Sequence, residues 1–352
     1  MRLVSLTQLN FRNLRTPRID FPSGVVAVVG HNAAGKSNLL AAAYLACTGE
    51  TVGGKLARQV RLGEDEAYVA AEIEHDEGVS RVEVGLGAGK KVVRVDGQAA
   101  KVGDVARVVS AVLLTPEDSD LVHGPPASRR AYLDDLLAKL SLRYALLHRE
   151  YGRVVEHRNA LLRAGRFGAE LTPWSERFVA LGTEVLALRE RAVARLAPLA
   201  AEVYRDVAGA GSLAVRLGTT HGESTLGEAL AAGAEAERLR GQTLIGPHRD
   251  DLVLALDEVS LPEYGSRGEA RTAALALRVA EYRLLSEKHR EPPVLLIDDF
   301  TAELDATRRA YLLELAGATP QALVSGTEPP PLADARIEMA AGHARLLEAS
   351  RA

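Results

Sequence analysis

Gly30-His31-Asn32-Ala33-Ala34-Gly35-Lys36-Ser37 is the stretch from which the rest of the chain is read. It fits G-x-x-x-x-G-K-[ST], the phosphate-cradling loop of nucleotide triphosphatases. Immediately before it, Val25-Val26-Ala27-Val28-Val29 is a continuous apolar run, which suits a strand buried on both faces. Immediately after it, Asn38-Leu39-Leu40-Ala41-Ala42-Ala43-Tyr44-Leu45 suits a helix. Strand, tight turn and helix are therefore expected in that order. Gly30 and Gly35 let the backbone turn its N–H groups inward without a Cβ in the way, and the helix N-terminus adds partial positive charge. Lys36 then reaches the β/γ-phosphates and Ser37 ligates Mg²⁺. A Gly-rich turn that merely happened to contain Lys-Ser would not need that strand and helix around it.

Bulk properties set outer bounds. A chain of 352 residues can bury a large core and hold one big domain or two lobes. Apolar content of 47% with 26% charged residues describes an ordinary soluble globular protein. The single cysteine, Cys47, excludes a disulfide framework and fits a reducing cytosol. It lies in the helix expected after the loop, where a buried small residue is the simpler reading than a catalytic thiol. No signal-peptide pattern and no apolar stretch of membrane-spanning length stands out, so a cytoplasmic protein with no membrane partner is expected. A formal charge of −4 leaves no overall pull toward nucleic acid, so any DNA contact must come from a local patch.

Outward from the loop, Leu3 to Asn13 reads as a strand leading into a turn. Short alternating runs at 68–74, 81–84 and 91–95, with the turn Asp96-Gly97, predict a half-exposed antiparallel sheet beside the nucleotide site. Residues 108–114 read as a buried strand ending in Thr115-Pro116-Glu117-Asp118. The middle changes character. Leu133, Leu137, Leu140, Tyr144, Leu147, Tyr151, Val154 and Leu161 recur in three- and four-residue steps, interrupted by Arg158. Trp174, Phe178, Leu181, Val185, Leu188, Ala192, Arg195 and Leu199 form a second series, with breakers around 164–173 between them. Two antiparallel helices packed along a heptad-like seam are expected, each about 50 Å long at the usual helical rise. Residues 208–240 carry little signal. A further amphipathic helix runs from about 270 to 290, and Val294-Leu295-Leu296-Ile297 and Ala322-Leu323-Val324-Ser325 read as buried strands.

The run 294–297 ends in Asp298-Asp299, which suits the second half of a phosphate-loop site. Asp298 at the strand end would hold the Mg²⁺ shell, and Asp299 would orient the attacking water. Acids that only cap the next segment would look the same in isolation. The pairing with 30–37 favours the catalytic reading. Tyr264-Gly265-Ser266-Arg267-Gly268-Glu269 has the S-x-x-E spacing of a capping box at the start of a helix, which is also an anion site. A capped helix start is common. This one, however, lies about 230 residues after the phosphate loop and about 30 before the Asp-bearing strand. ABC-type ATPases have such an element in that place, and there the serine contacts the γ-phosphate bound by the opposite subunit.

Taken in order, further blocks point to one family. They are Asn10-Phe11-Arg12-Asn13, residues 30–38, Thr115-Pro116-Glu117 with Arg129-Arg130-Ala131-Tyr132-Leu133-Asp134, and Gly246-Pro247-His248-Arg249-Asp250-Asp251. Residues 266–269 and Leu296-Ile297-Asp298-Asp299-Phe300 with Glu303-Leu304-Asp305 complete the set. The chain resembles, over essentially its full length, the RecF family of compact bacterial DNA-repair ATPases related to SMC-type heads. The resemblance implies an α/β fold: an ABC-type P-loop ATPase head with a mixed sheet. A mainly helical second lobe carrying a short antiparallel hairpin is inserted into it. Lobe boundaries are expected at 1–118 with 291–352 for the ATPase lobe and 119–290 for the second. The hairpin would fall at about 128–207 and the signature at 265–269. It also implies ATP-dependent dimerisation, slow ATP hydrolysis and binding to double-stranded DNA or duplex/single-strand junctions. Cooperation with RecR, and with RecO and RecA, is implied at gaps in a nucleoid-associated setting.

Carried over position by position, Lys36, Ser37 and Asp298 bind phosphate and Mg²⁺, with Gly30, Gly35 and Asn38 in the same loop. Asp299 takes the catalytic-carboxylate place. Ser266, with Gly268, is the signature acting across the dimer, and Asp305 matches the aspartate that communicates between the two sites. Arg12 and Asn32 are further nucleotide contacts. Two departures stand out: Asp299 replaces the usual glutamate, and Ser325-Gly326-Thr327 carries no histidine at the switch position. Both predict a slow switch rather than a motor. For DNA, the basic run Arg129, Arg130, Lys139, Arg143, Arg149, Arg153, Arg158, Arg163 and Arg166 offers Arg130, Lys139, Arg143 and Arg153 as contacts. A solvated charged helix face is the alternative meaning of such a run. His248 and Arg249 either line the nucleotide site or hydrogen-bond inside the second lobe, and the structural role is the favoured reading. As a whole-protein alternative, the same motifs would serve the nucleotide-binding subunit of an ABC transporter, although the helical hairpin and the missing histidine count against it.

Overall fold

The computed structural model describes residues 1–53, 55–299 and 305–347. Phe300, Glu303 and Leu304, part of the resemblance, lie outside them. The chain packs as two compact units, residues 1–118 with 278–352, and residues 119–277. The second boundary therefore falls at 277/278, inside the helix Arg267–His289, and not after it at 290/291. Side chains explain the shift. From Arg278 onward this helix bonds to the first unit: Arg278 to Asp118 at 2.8 Å, Tyr282 to Thr319 at 3.0 Å, and Lys288 to the Ala106 carbonyl.

In the first unit the loop-bearing strand is Gly24–Val29, and every residue from Val25 on is buried. It lies between Gln321–Gly326 and Ala335–Ala340, with Val294–Ile297 and Ala111–Leu114 beyond the former, all parallel. His343–Leu347 closes the edge in antiparallel pairing, so the sheet is mixed. Residues 108–110, expected in a strand, are not in one. Val102–Val108 is instead a short helix, and the strand starts at Ala111. The second sheet is wholly antiparallel: Arg18–Asp20, Arg2–Leu9, Glu66–His75, Gly78–Gly87, Lys90–Val95 and Gln98–Ala100, in that order. Its apolar face (Val69, Ala71, Ile73, Val82, Val84) joins one core with helix Lys36–Thr48 and with Val26, Val28 and Leu296 of the mixed sheet. Helix Lys36–Thr48 is thus buried nearly all round, which explains why it has almost no polar face.

In the second unit the expected first arm is two helices, Pro126–Leu140 and Leu142–Arg163. Ser141 separates them in an extended conformation and accepts from the Tyr144 N–H, capping the second. The returning helix Thr172–Ala208 is continuous through Pro198. Its buried face is Phe178, Leu181, Val185, Arg189, Ala192, Leu196, Ala200 and Val203. A heptad seam would instead carry Leu188, Arg195 and Leu199. A straight helix advances 3.6 residues per turn, so its buried stripe drifts off a strict 3.5-residue repeat. Arg189, only 1% exposed, is accommodated because Asp134 accepts from its guanidinium at 2.6 Å and the Pro247 carbonyl at 2.5 Å. Arg158 likewise does not interrupt the seam but lies inside it, 3% exposed. Residues 208–240, uninformative in sequence, hold the strand Leu213–Gly218 and the helices Leu226–Ala232 and Ala234–Arg240. That strand pairs with Asp251–Leu256, and Val259–Ser260 completes a three-stranded antiparallel sheet.

Candidate functional site

The loop 30–37 stands at the C-terminal end of Gly24–Val29, where parallel strands present ligands to a helix N-terminus. Gly35 holds φ +110 and caps helix Lys36–Thr48 without a side chain, so the first-turn N–H groups face outward unspent by any side-chain cap. Gly30 is required for a different reason. A Cβ there would stand 2.3 Å from the carbonyl oxygen of Met339 on the neighbouring strand. The Lys36 ammonium folds back on the loop, donating to the carbonyls of Gly30 at 2.8 Å and His31 at 3.1 Å. Those carbonyls hold the side chain over the cradle where a phosphate would take up its charge.

Two hydroxyls converge on one carboxylate oxygen. Ser37 Oγ donates to Asp298 Oδ1 at 3.1 Å and Ser325 Oγ donates to the same atom at 2.5 Å. Ser325 Oγ also accepts from the Asp299 N–H at 2.8 Å. Burial pushes the Asp298 carboxyl above its ordinary range; the two hydroxyls oppose this, while the charges of Asp299 and Glu117 add to it. Such an excess of acid suits a divalent cation. Among the described residues no cluster of three or more His, Cys, Asp or Glu side chains could hold a metal alone. Ser37 and Asp298 nonetheless fit Mg²⁺, which keeps several waters and takes one or two protein ligands beside substrate phosphates.

Arg12 and Asn38 belong to a clasp on the other side of the loop. The Arg12 guanidinium donates to Gln59 Oε1 (2.9 Å), Asn38 Oδ1 (2.9 Å) and the Val52 carbonyl (3.1 Å), and Asn38 donates to Asn13 Oδ1 at 2.7 Å. Burial lowers the Arg12 pKa from its usual value. Asn32 is exposed in the loop. Gln59 is a member of this clasp that sequence reasoning misses. A lone glutamine in a short turn carries no local signal, and only the fold shows it buried against Arg12.

Ser266 and Glu269 form the expected capping box: the Ser266 N–H donates to Glu269 Oε2 at 2.8 Å, and the Glu269 N–H to Ser266 Oγ at 3.2 Å. Hydrogen bonds from the Ser266 backbone N–H and, secondarily, from its hydroxyl hold the Glu269 carboxyl below its ordinary range. Ser266 is exposed, and Gly268 sits in the first turn, its carbonyl accepting from Thr272. Asp305 is the N-cap of helix Ala306–Gly317, accepting from the Arg308 N–H at 2.9 Å.

The basic run divides sharply by burial. Arg143 is exposed and pairs with Glu184 at 2.8 Å, and Arg149 and Arg153 are also exposed. Arg130 is half-buried, donating to the Asp250 carbonyl at 3.0 Å. Lys139 is not a surface cation. It is 4% exposed, with its ammonium 2.7 Å from Asp135. Arg129 and Arg158 are buried too, bonded to Asp251 and Glu237. His248 is part of the interior of the second unit: its Nδ1 lies 2.8 Å from the Tyr151 hydroxyl, and burial pushes it down to about 4. Arg249 is exposed and bonds to Gln242 at 3.1 Å. Cys47 is buried and pushed up to about 12, which suits packing and not nucleophilic chemistry.

A Gly-rich loop with Lys36 and Ser37 after a buried parallel strand, and Asp298 at the end of a strand two places away, belong to the fold of an ABC-type ATPase head. The family model described as the RecF/RecN/SMC N-terminal domain matches residues 2–340. Among curated proteins, the "DNA replication and repair protein RecF" of Deinococcus radiodurans is 49% identical over 97% of this chain and 95% of its own length. That of Chloroflexus aurantiacus is 38% identical over 87% and 88%. A solved structure described as the recombination mediator protein RecF with ATP, in the RecFOR pathway, superposes with a TM-score of 0.91 at 27% identity. It covers 98% of this chain and 97% of that one. An Smc head domain from Pyrococcus furiosus, at 16% identity and a TM-score of 0.55, covers 99% and 96% and shares the fold alone. The chain belongs to the RecF family. No helix among the described residues is long and apolar enough to cross a membrane.

Proposed function

We propose that the chain is an ATP-gated DNA-binding protein of recombinational and gap repair. ATP binds at Lys36, Ser37 and Asp298 of one copy, and Ser266 of a second copy completes the site, so that nucleotide joins a homodimer. The observation that carries this reading is the signature serine itself. It is exposed at a helix start, and among the described residues its hydroxyl is engaged only with Glu269 in the capping box, so a bound anion would compete with that one carboxylate for it. When bound, Mg²⁺ neutralises charge on the β/γ-phosphates. Lys36 exchanges the Gly30 and His31 carbonyls for phosphate oxygens, and Asp299 orients the attacking water. Asp299 is one methylene shorter than glutamate and the switch position Ser325-Gly326-Thr327 has no histidine, so turnover stays below about 1 s⁻¹, the low end of usual enzyme rates. Slow hydrolysis resets the dimer.

The dimer joins two weak basic surfaces into one cleft for duplex DNA or duplex/single-strand junctions, with Arg143 and Arg153 its best-exposed contacts and Arg130 a lesser one. The RecFOR pathway named for the similar solved structure supports work with RecR and RecO, and RecA is the further partner of this reading. The two compact units are taken as the two functional lobes, ATPase and signature-bearing.

The test compares wild type and Ser266→Arg by size exclusion and by duplex-DNA titration with ATP, at low and physiological salt. Wild type is expected to elute as a dimer with ATP and to bind DNA with an affinity that falls steeply with salt. Ser266→Arg is expected to bind ATP as a monomer and to lose DNA binding about 10-fold or more. ATP fully bound to a monomer that still holds DNA would overturn the proposal.

A further inference from the structure

The switch position lacks a histidine, and the strand that carries it holds Ser325 fully buried in the interior. Its place in the sheet is set by pairing on both sides. In strand Gln321–Gly326, Ser325 stands opposite Val28 of the loop-bearing strand, and Val324 opposite Ile297 of the Asp-bearing strand. One residue beyond that last pair, Ser325 meets Asp298. Asp298 still bonds through its N–H to the Leu114 carbonyl at 2.8 Å, as a strand residue would. Asp299 has left the ladder. Its φ is +49, a left-handed conformation uncommon outside glycine, although aspartate tolerates it better than most. The group that takes its N–H is the Ser325 hydroxyl, at 2.8 Å.

A hydroxyl has one proton to give and lone pairs to receive. Ser325 uses both: the proton goes to Asp298 Oδ1 at 2.5 Å, and the oxygen receives the Asp299 N–H. One buried atom therefore orients the Mg²⁺-binding carboxylate and fixes the backbone of the residue assigned to the attacking water. Ser37 of the loop donates to the same Oδ1 at 3.1 Å, which ties this carboxylate to the loop as well.

We propose that Ser325 is the positioning residue that aligns Asp298 and Asp299 with each other, in place of direct phosphate contact by a switch histidine; this rests on the ATPase reading of the site. Ser325 touches neither nucleotide nor metal itself; it acts through the two aspartates. Outer-shell hydrogen bonds of this kind typically change metal affinity or activity 10- to 100-fold when removed.

The experiment uses the full chain as wild type, Lys36→Ala, Ser325→Ala, Ser325→Thr and Ser325→Cys. Affinity for a non-hydrolysable ATP analogue is measured by calorimetry with and without Mg²⁺, alongside kcat, KM and thermal melting. Ser325→Ala is expected to melt within a few degrees of wild type and to bind the analogue without Mg²⁺ as wild type does. The gain in affinity that Mg²⁺ confers should shrink about 10-fold, and kcat should fall about 10- to 100-fold with KM little changed. Ser325→Thr, which keeps the hydroxyl, should restore both. Ser325→Cys, with a weak donor, should fall between, and it ranks the series if threonine proves too large for the site. Unchanged Mg²⁺ gain and kcat in Ser325→Ala would overturn the inference, as would a threonine variant that folds and remains as defective as alanine. Equal inactivity of wild type and Lys36→Ala would instead remove the ATPase reading on which the inference rests.

Discussion

Arg158→Met should be among the most destabilising single substitutions in the second unit, and pairing it with Glu237→Gln should undo most of the damage. The Arg158 guanidinium donates to Ser175 Oγ at 3.1 Å, Thr243 Oγ1 at 2.8 Å and Glu237 Oε2 at 2.6 Å. Glu237 is fully buried, and its other oxygen accepts from the Leu244 N–H at 2.9 Å. Removing the arginine strands a carboxylate in the interior with a single donor left. Breaking one side of a buried ion pair costs about 3–5 kcal/mol, mostly from the charge left behind. In the double variant neither charge remains, and the glutamine carbonyl can still accept from the Leu244 N–H, so the net loss should be only about 1–2 kcal/mol. The assay is urea unfolding followed by the fluorescence of Trp174, the one tryptophan, whose ring stacks on His157 at 4.5 Å in the same unit. With a slope of about 2 kcal/mol per molar urea, Arg158→Met should lower the midpoint by about 1.5–2.5 M, and the double variant by less than about 1 M. Because the chain has two compact units, the tryptophan transition, not the global signal, is the one to fit. A double variant as unstable as the single one would refute the reasoning, since the loss would then come from packing and not from stranded charge. So would a single variant within about 1 kcal/mol of wild type.

His248 and Gly30 give two further outcomes. His248 is pushed down from 6.5 to about 4, chiefly by burial with the Arg249 charge adding, so between those values the unfolded chain binds the proton and the folded chain does not. Stability should therefore fall as pH drops from 6.5 to 4, by up to about 3 kcal/mol from this residue, and His248→Gln should flatten that part of the pH–stability curve; an unchanged slope would count against it. Gly30→Ala should weaken ATP binding about 10-fold or more in a nucleotide titration and lower the melting temperature, because its Cβ would force the Met339 carbonyl away. Wild-type affinity would show that the neighbouring strand yields at no cost.

The proposed nucleotide site is legible in sequence because its signals are local. The phosphate loop needs small residues, a lysine and a serine within one short turn, and the buried parallel strands are unbroken apolar runs. The capping box joins Ser266 to Glu269, three positions on. Backbone sterics and hydrogen bonding at short range demand those patterns, so they leave a mark in any window that contains them. Which polar residues meet at long range is settled by the tertiary fold instead. Ser37 and Asp298 are 261 positions apart, and a motif pairs them, whereas Ser325 reads only as a missing histidine until strand register puts its hydroxyl on Asp298. Charge in a sequence also says nothing of burial. Lys139 and Arg158 belong to a basic run that reads as a surface, yet each is neutralised inside the second unit by an acid on the same or another element, as is Arg189 by Asp134. The drift of the helix Thr172–Ala208 away from a strict heptad has the same origin: which stripe is buried depends on what packs against it, and that partner is supplied by the fold.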